Sequence, residues 1–172
     1  MAVNFLPVDF ADQKLIEELL ESEPALLSSL DFGPRVAQGI SDGPSLLIGD
    51  QSDIALLASA QGSRLDYRMA LLAKPGDSVL VRQRVRDFED YLADYLGQEH
   101  VYYFHARSDD ARPVAQHTRT IGNLLETLAD TARRSGGMTL KPYLTTGHIW
   151  RLAQTLSKAT NCCIHVCGPS PR

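Results

Sequence analysis

The sequence predicts an α/β protein built on an open parallel sheet of about five strands, with helices on both faces of the sheet. From Ser45 onward, short apolar runs alternate with helical periods, a pattern typical of parallel strands that are connected through helices. The 172 residues suit one globular unit, because 44% hydrophobic and 22% charged residues are ordinary values for a chain that buries its own core. We therefore expect one folded body around this sheet.

The first 44 residues differ from the rest and are predicted to form a helical extension. They are rich in Leu, Ser, Gly and Pro and contain few β-branched residues. Asp12 is a suitable cap for a first helix, and Pro24 suits the first turn of a second short helix that runs to Leu30. The predicted boundaries are 1–44 for the extension and 45–172 for the sheet domain. The apolar residues of the first helix share one face: Leu15, Ile16, Leu19 and Leu20.

The first half of the predicted sheet contains strands over residues 46–49, 78–82 and 101–105. A helix over residues 64–73 connects the first two strands and ends at a turn-forming Lys-Pro-Gly-Asp run. The next helix begins with Asp87 as its cap and ends at Gly97, which supplies a left-handed stop. The predicted apolar stripes are Leu65, Met69 and Leu72 in the first helix and Phe88, Leu92, Tyr95 and Leu96 in the second.

The second half of the sheet follows the same alternation, with strands over residues 138–142 and 163–167. Thr145 or Thr146 caps the helix between them, and Trp150 is predicted to pack at the edge of that helix's apolar face. The strongest helical period precedes these elements and has its apolar residues on one side: Ile121, Leu124, Leu125, Leu128 and Ala132.

This order of strands and helices predicts a Rossmann-like fold with right-handed crossovers, in which ligands bind at the carboxyl ends of the strands. Two pairs of basic side chains lie near such ends, after the second predicted strand and around the end of the third. They could bind a carboxylate or another small anion, and a solvated basic edge explains them as well. The predicted substrate-binding residues are Arg82, Arg84, His105, Arg107, Thr145 and Thr146.

Composition argues against several other classes of protein. No apolar run approaches the roughly 18 residues needed to cross a bilayer, and the first 12 residues lack the basic and apolar regions of a secretory signal. We therefore expect a cytoplasmic protein without a membrane partner. A net charge of -4 argues against a nucleic-acid partner, which normally needs a clustered basic face.

Three cysteines near the end of the chain raise the question of a metal or catalytic site. Cys162, Cys163 and Cys167 are too few and too clustered for a disulfide framework, so we expect reduced and buried thiols. With His148 and His165 they could form a zinc site, but Cys162 points away from the strand face that the other two share. A cysteine hydrolase would need a tight strand-to-helix turn at its nucleophile, and a dinucleotide site would need a glycine-rich turn after a strand. We therefore expect neither a metal nor a catalytic residue here.

Several segments resemble, in the correct order, parts of one known domain family. Residues 67–81, with the sequence YRMALLAKPGDSVLV, are similar to a helix, a Pro-Gly-Asp turn and the second strand of the pre-ATP-grasp domain. Asp50 departs from the pattern, because relatives usually place an asparagine after the glycine at position 49. The other similar segments are residues 46–49 (first strand), 88–97 (next helix), 140–145 with 152–153 (later Pro-Tyr strand and helix) and 167–171 (closing Gly-Pro-x-Pro).

The resemblance implies a domain that precedes the ATP-grasp part of an ATP-dependent carboxylate–amine or peptide ligase. In that family the ATP-grasp part activates a carboxylate as an acyl phosphate and joins it to an amine. ATP and Mg²⁺ are thus implied for the full ligase. We expect no cofactor in this domain, because no segment after Ser45 offers a phosphate-binding loop with lysines and metal-binding carboxylates.

The resemblance also implies the partners and the role of this chain. The expected partners are a C-terminal ATP-grasp domain of the same protein, beginning near Arg172, a small-molecule substrate and a second copy in a homodimer. The domain would frame one wall of the substrate cleft and would be inactive alone. Two alternatives are a stand-alone Rossmann-like module that binds a small anionic metabolite, and a structural remnant without a ligand.

Overall fold

A computed structural model describes residues 14–15, 17–18, 32–52, 54, 64–106 and 112–170. Within these ranges, six parallel strands form one open sheet, which confirms the predicted α/β class. Their order across the sheet is β1-β6-β5-β2-β3-β4. The strands are β1 (Val36–Gln38), β2 (Ser45–Ile48), β3 (Ser78–Val81), β4 (Tyr102–His105), β5 (Gly137–Pro142) and β6 (Cys163–Val166).

One strand of the sheet was not predicted. β1 pairs in parallel with β6, with Val36 opposite Ile164, and it lies in the stretch that we expected to be a helical extension. The sheet therefore has six strands where about five were predicted, because the three residues of β1 are too few to show a strand period. Residues 14–15 and 17–18 are helical, whereas the predicted helix from Pro24 to Leu30 lies outside the described residues.

Helices lie on both faces of the sheet, as predicted. One face carries a 3₁₀ helix (Arg64–Leu72) and α1 (Arg86–Leu96). The other carries α2 (Val114–Thr118), α3 (Gly122–Arg134) and α4 (Gly147–Thr160). The short helix α2 was not predicted, because five residues hold little more than one helical period. None of the described helices is both long and apolar enough to cross a membrane.

The larger core lies between the sheet and helices α2, α3 and α4. Trp150 of α4 is fully buried in it, with its ring centroid 5.7 Å from that of Phe32. Its indole N–H donates a hydrogen bond of 3.2 Å to the carbonyl oxygen of Pro169. These contacts correct the prediction that Trp150 packs at the edge of the apolar face. The strand residues of this core include Leu46, Ile48, Leu80, Met138, Leu140, Ile164 and Val166.

The smaller core lies on the opposite face and confirms two predicted apolar stripes only in part. Met69 of the first stripe is buried in this core, whereas Leu72 is exposed. A 3₁₀ helix has about 3.0 residues per turn, so Tyr67 and Ala70 share its buried face instead of Leu72. In α1, Leu92 is the one buried residue of the predicted stripe, and the other three are exposed. The strand residues of this core are Leu47, Val79 and Val81.

The helix ends agree with the predictions in part. Gly97 follows α1 in the left-handed conformation, with φ of 65°, as predicted. The cap position of α1 is Val85, not Asp87, which lies in the first turn of the helix. Thr146 occupies the cap position of α4, but its side chain makes no capping hydrogen bond.

Candidate functional site

The candidate site lies at the carboxyl edge of the sheet, where the strand order reverses. From β2 the chain continues to β3 and β4 on one side, whereas β5 and β6 lie on the other side of β2. Open α/β sheets bind ligands at such a point, between the ends of the two diverging strands. Ile48 of β2 lies opposite Pro142 of β5, and the Tyr143 N–H donates to the Ile48 carbonyl oxygen at 2.7 Å. We call residues 49–52 and 143–147, which follow these strands, the switch-point rim.

Two close contacts at glycines fix the backbone of the rim. A Cβ atom on Gly49 would lie 2.0 Å from the carbonyl oxygen of Asp66, so only glycine fits between β2 and the 3₁₀ helix. A Cβ atom on Gly168 would lie 1.9 Å from the hydroxyl oxygen of Thr145. Thr145, a predicted site residue, therefore packs against the segment that follows β6.

Asp50 joins three segments of the carboxyl edge through its carboxylate. One oxygen accepts hydrogen bonds from the Arg82 guanidinium at 3.2 Å and the Ser52 N–H at 3.1 Å. The other accepts from the Val114 N–H at 2.5 Å and the Ser52 hydroxyl at 3.0 Å. Arg82 also donates to the carbonyl oxygen of Arg112 at 2.8 Å. Because both oxygens accept bonds, a carboxylate suits this position better than an asparagine, which has one acceptor oxygen.

A second carboxylate, Asp66, supports the backbone at Arg82. It is 7% exposed and accepts hydrogen bonds from the Arg82 N–H at 2.8 Å and the Tyr67 N–H at 3.1 Å. Burial raises the pKa of Asp66 above its usual 3.8, although these hydrogen bonds oppose the increase. Arg82 is therefore held by Asp66 at its backbone and by Asp50 at its side chain.

Arg84 belongs to a separate network that includes the 3₁₀ helix and α1. Its Nε lies 3.1 Å from each carboxylate oxygen of Glu89, and its Nη2 contacts Oε2. The Tyr67 hydroxyl donates to Glu89 at 2.7 Å and accepts from the Val85 N–H at 2.7 Å. Burial and the nearby Glu89 raise the pKa of Tyr67. Burial also acts to raise the pKa of Glu89, but hydrogen bonds from Arg84 and Tyr67 outweigh it and hold that pKa below its usual 4.5.

The structure places the predicted substrate-binding residues in different surroundings. Arg82 lies toward α2 and Arg84 toward α1, on opposite faces of the sheet, so the two arginines do not share one crevice. His105 is exposed at the end of the edge strand β4, and Arg107 lies outside the described residues. The remaining two residues, Thr145 and Thr146, lie on the switch-point rim. Their roles in substrate binding stay predictions.

Sequence reasoning singled out Asp50 without predicting its network, and it missed the other two carboxylates that organise this edge, Asp66 and Glu89. Glu89 carried a weak signal, because it lies three positions before the buried Leu92 on the same helical face. Asp66 carried no comparable signal, and the sequence did not show which groups Asp50 binds, since both carboxylates bind distant segments. Asp50 and the Val114 N–H, for example, are 64 positions apart.

The cysteines differ from the prediction of buried thiols. Cys163 is exposed and Cys162 and Cys167 are half-buried, all three as free thiols. The predicted alternation in this strand is confirmed. Ile164 and Val166 face the core, whereas Cys163, which alternates with them, is exposed. Among the described residues, no group of three or more His, Cys, Asp or Glu side chains is placed to hold a metal ion.

Comparison with known proteins assigns this chain to a family. The Pre ATP-grasp domain matches residues 66–157, which extend from the 3₁₀ helix through β3, β4 and β5 into α4 and make up more than half of the chain. No curated protein and no solved structure matches the chain significantly. The match includes residues 67–81, 88–97, 140–145 and 152–153, which resemble this domain in the sequence. The chain therefore belongs to the Pre ATP-grasp domain family.

Proposed function

We propose that this chain forms one wall of the substrate cleft of an ATP-dependent carboxylate–amine ligase, with an ATP-grasp domain supplying the phosphoryl chemistry. The observation that carries the proposal is the family match over residues 66–157, which supports an association with ATP-grasp ligases. The strand order supports a wall beside the switch-point rim, because ligands of open α/β sheets bind near such a point.

The chemistry near the rim suits a substrate that carries a carboxylate. Arg82 is a positioned guanidinium with 25% of its side chain exposed, and guanidinium groups bind carboxylates through paired hydrogen bonds. Helix α4 begins at Gly147, directly after Thr146, and the amino end of a helix carries a partial positive charge that favours anions. In the proposal, Arg82, Thr145 and Thr146 contact the substrate, and Arg84 positions the loop after β3 through Glu89.

In this proposal the ATP-grasp domain carries out the rest of the reaction. ATP and Mg²⁺ bind there, and the carboxylate held at the rim is presented for activation as an acyl phosphate. The chain alone then does not consume ATP. The ligase acts in the cytoplasm, on a small-molecule substrate, and a second copy of the chain is a further proposed partner.

A titration followed by NMR tests this proposal. Acetate, used as the simplest carboxylate probe, should shift the amide signals of residues 50–52 and 143–148 in the isotope-labelled full chain. Arg82→Gln should weaken this binding roughly 5- to 10-fold, the effect of one charge-assisted hydrogen bond. Arg86→Gln is the matched control, because Arg86 is exposed on α1. Acetate shifts confined to other residues would contradict the proposed cleft, and micromolar binding of Mg-ATP by this chain alone would contradict the assignment of ATP to the partner domain.

A further inference from the structure

We infer a second binding site on this chain, for a small anion with a planar apolar body, in a half-open groove at the amino edge of the sheet. The groove has a volume of about 940 Å³, at the upper end of the roughly 300–1,000 Å³ typical of small-molecule sites. It is bounded by the beginnings of β3 and β4, by α3, by the chain segments that precede β2 and β3, and by Lys141 of β5. Most of this lining lies at the opposite edge from the switch-point rim, and none of it belongs to the rim, so the groove is separate from the proposed substrate cleft.

The floor of the groove contains a buried hydroxyl beside two aromatic rings. Ser78 is 1% exposed, and its hydroxyl has no hydrogen-bond partner among the described residues. Tyr102 lies directly opposite Ser78 in the sheet and is 57% exposed, and Phe104 follows two positions later on the same face. A buried hydroxyl without a partner is unfavourable, so a polar atom of a ligand that reaches Ser78 is stabilised there. The rings provide a surface for a planar body.

The charge of the groove favours an anion. Three cations line it, Lys74, Arg134 and Lys141, and none of them forms an ion pair with a carboxylate in the part of the chain that the structure describes. Of the two acidic residues in the lining, Asp77 is 6% exposed and uses its carboxylate to accept the backbone N–H groups of Ser45 at 2.7 Å and Lys74 at 3.0 Å. That leaves Asp42 as the acid that opposes the three cations.

The helical wall of the groove indicates where the neutral part of the ligand lies. The hydroxyls of Thr127, Thr131 and Ser135 donate to carbonyl oxygens of α3 itself, at 2.8, 3.0 and 3.0 Å. Because their protons are committed, these oxygens can only accept hydrogen bonds from a ligand. The wall therefore suits a hydroxyl or amino substituent, whereas the anionic group lies toward Lys74 and Arg134. An aromatic carboxylate or aryl phosphate meets all of these requirements.

An NMR titration of the full chain with benzoate, phenyl phosphate and neutral benzamide tests the inference. At least one anion should shift the amides of residues 76–78, 102–104 and 131–135, with a dissociation constant of roughly 1–10 mM for so small a probe. Benzamide should bind at least about 10-fold more weakly, because it lacks the charge. The tighter of the two anions identifies the preferred charged group. If neither anion shifts these amides, or if benzamide binds equally well, the inference is overturned.

Three variants test which residues of the groove bind the anion. Arg134→Gln should weaken anion binding roughly 10-fold, and Ser78→Ala roughly 5-fold, because each removes one hydrogen bond to the ligand. Ser78→Ala should not lower the stability of the protein, since the hydroxyl that it removes has no partner among the described residues. Arg133→Gln is the control and should bind as the unmodified chain does, because Arg133 is paired with Asp130 and is not part of the lining. Unchanged affinity in both Arg134→Gln and Ser78→Ala would refute the site.

Discussion

The two edges of the sheet differ in how their charged side chains are paired. At the carboxyl edge, Asp50 and Glu89 each accept hydrogen bonds from an arginine and from at least one other segment. At the amino edge, the buried carboxylate of Asp77 binds backbone N–H groups, while the cations of Lys74 and Arg134 have no carboxylate partner among the described residues. The carboxyl edge is therefore fixed by its own charges, and the amino edge retains unpaired charge beside an open groove.

The paired carboxylates of the carboxyl edge explain how loops that are distant in sequence can form one surface. A carboxylate has two acceptor oxygens and can receive several hydrogen bonds at once, so a single side chain can set the relative position of separate segments. Asp50 does so for the segments that contain Ser52, Arg82 and Val114. Such a surface is suited to orienting a substrate, because little conformational freedom remains to be lost when the substrate binds.

Gly49→Ala should give the largest loss of stability at the carboxyl edge, about 3–5 kcal/mol. The added Cβ would lie 2.0 Å from a backbone oxygen of Asp66, so β2 or the 3₁₀ helix must move. Urea denaturation measures the effect. Gly122→Ala is the matched control, because nothing lies within 4 Å of its added Cβ, and its stability should change by less than about 1 kcal/mol. Equal stability of the two variants would mean that the carboxyl edge is not closely packed at Gly49.

Glu89→Gln should cost about 2–3 kcal/mol at pH 7, because the substitution leaves Arg84 without its buried counter-charge. Asp90→Asn, an exposed site on the same helix, is the control and should change stability by less than about 0.5 kcal/mol. Denaturation of both variants at pH 7 gives the comparison. A loss no greater than that of the control would show that the Arg84 network does not stabilise the carboxyl edge.

The pH dependence of stability should have opposite signs for two carboxylates of this edge. The pKa of Glu89 is lowered in the folded protein, so its contribution is present above its usual 4.5 and is lost as the pH falls through the folded pKa. The stability difference between the unmodified chain and Glu89→Gln should therefore shrink in acid. The pKa of Asp66 is raised, so its contribution is present below 3.8 and is lost as the pH rises through the folded pKa. The unmodified chain should thus gain stability relative to Asp66→Asn as the pH falls. Denaturation of the three proteins between pH 3 and 7 measures both differences. If both stability differences changed in the same direction with pH, the expectation would be wrong.

Asp77→Asn should have the smallest effect, about 1 kcal/mol, because an asparagine retains one of the two acceptor oxygens that bind Ser45 and Lys74. Asp42→Asn, in the loop that lines the same groove, should leave stability within about 0.5 kcal/mol. Thermal denaturation can separate these values. A loss for Asp77→Asn larger than that for Glu89→Gln would reverse the ranking of the two edges.

The sequence predicted the parts of the fold that depend on local patterns. Strand β3 was predictable because Val79, Leu80 and Val81 are apolar on both faces, as expected of a central parallel strand. The buried face of the 3₁₀ helix was predicted only in part, because Met69 is buried but the period of three shifts the burial from Leu72 to Tyr67 and Ala70. The alternation of elements predicted a parallel sheet with ligands at the carboxyl ends of its strands. It did not predict the strand order, which determines where the switch-point rim lies.

The charged networks of the site could not be predicted in the same way. The sequence predicts Arg82 and Arg84 as neighbours at one site, because they are two positions apart at the end of a strand. In the structure they bind different carboxylates, Asp50 and Glu89, on different faces of the sheet. Which carboxylate reaches which arginine depends on how distant segments pack, and a single sequence carries no periodic signal for that.

Hydrogen exchange at the Val114 amide tests most directly the claim that Asp50 fixes the carboxyl edge. This amide donates to the Asp50 carboxylate at 2.5 Å, while the Leu80 amide of β3 reports on the sheet as a whole. The account predicts that the Val114 amide is protected in the unmodified chain and exchanges at least roughly 10-fold faster in Asp50→Ala. The Leu80 amide should keep its protection in both proteins. A Val114 amide that exchanges at the rate of an unstructured residue in the unmodified chain, or that is unaffected by Asp50→Ala, would contradict the account.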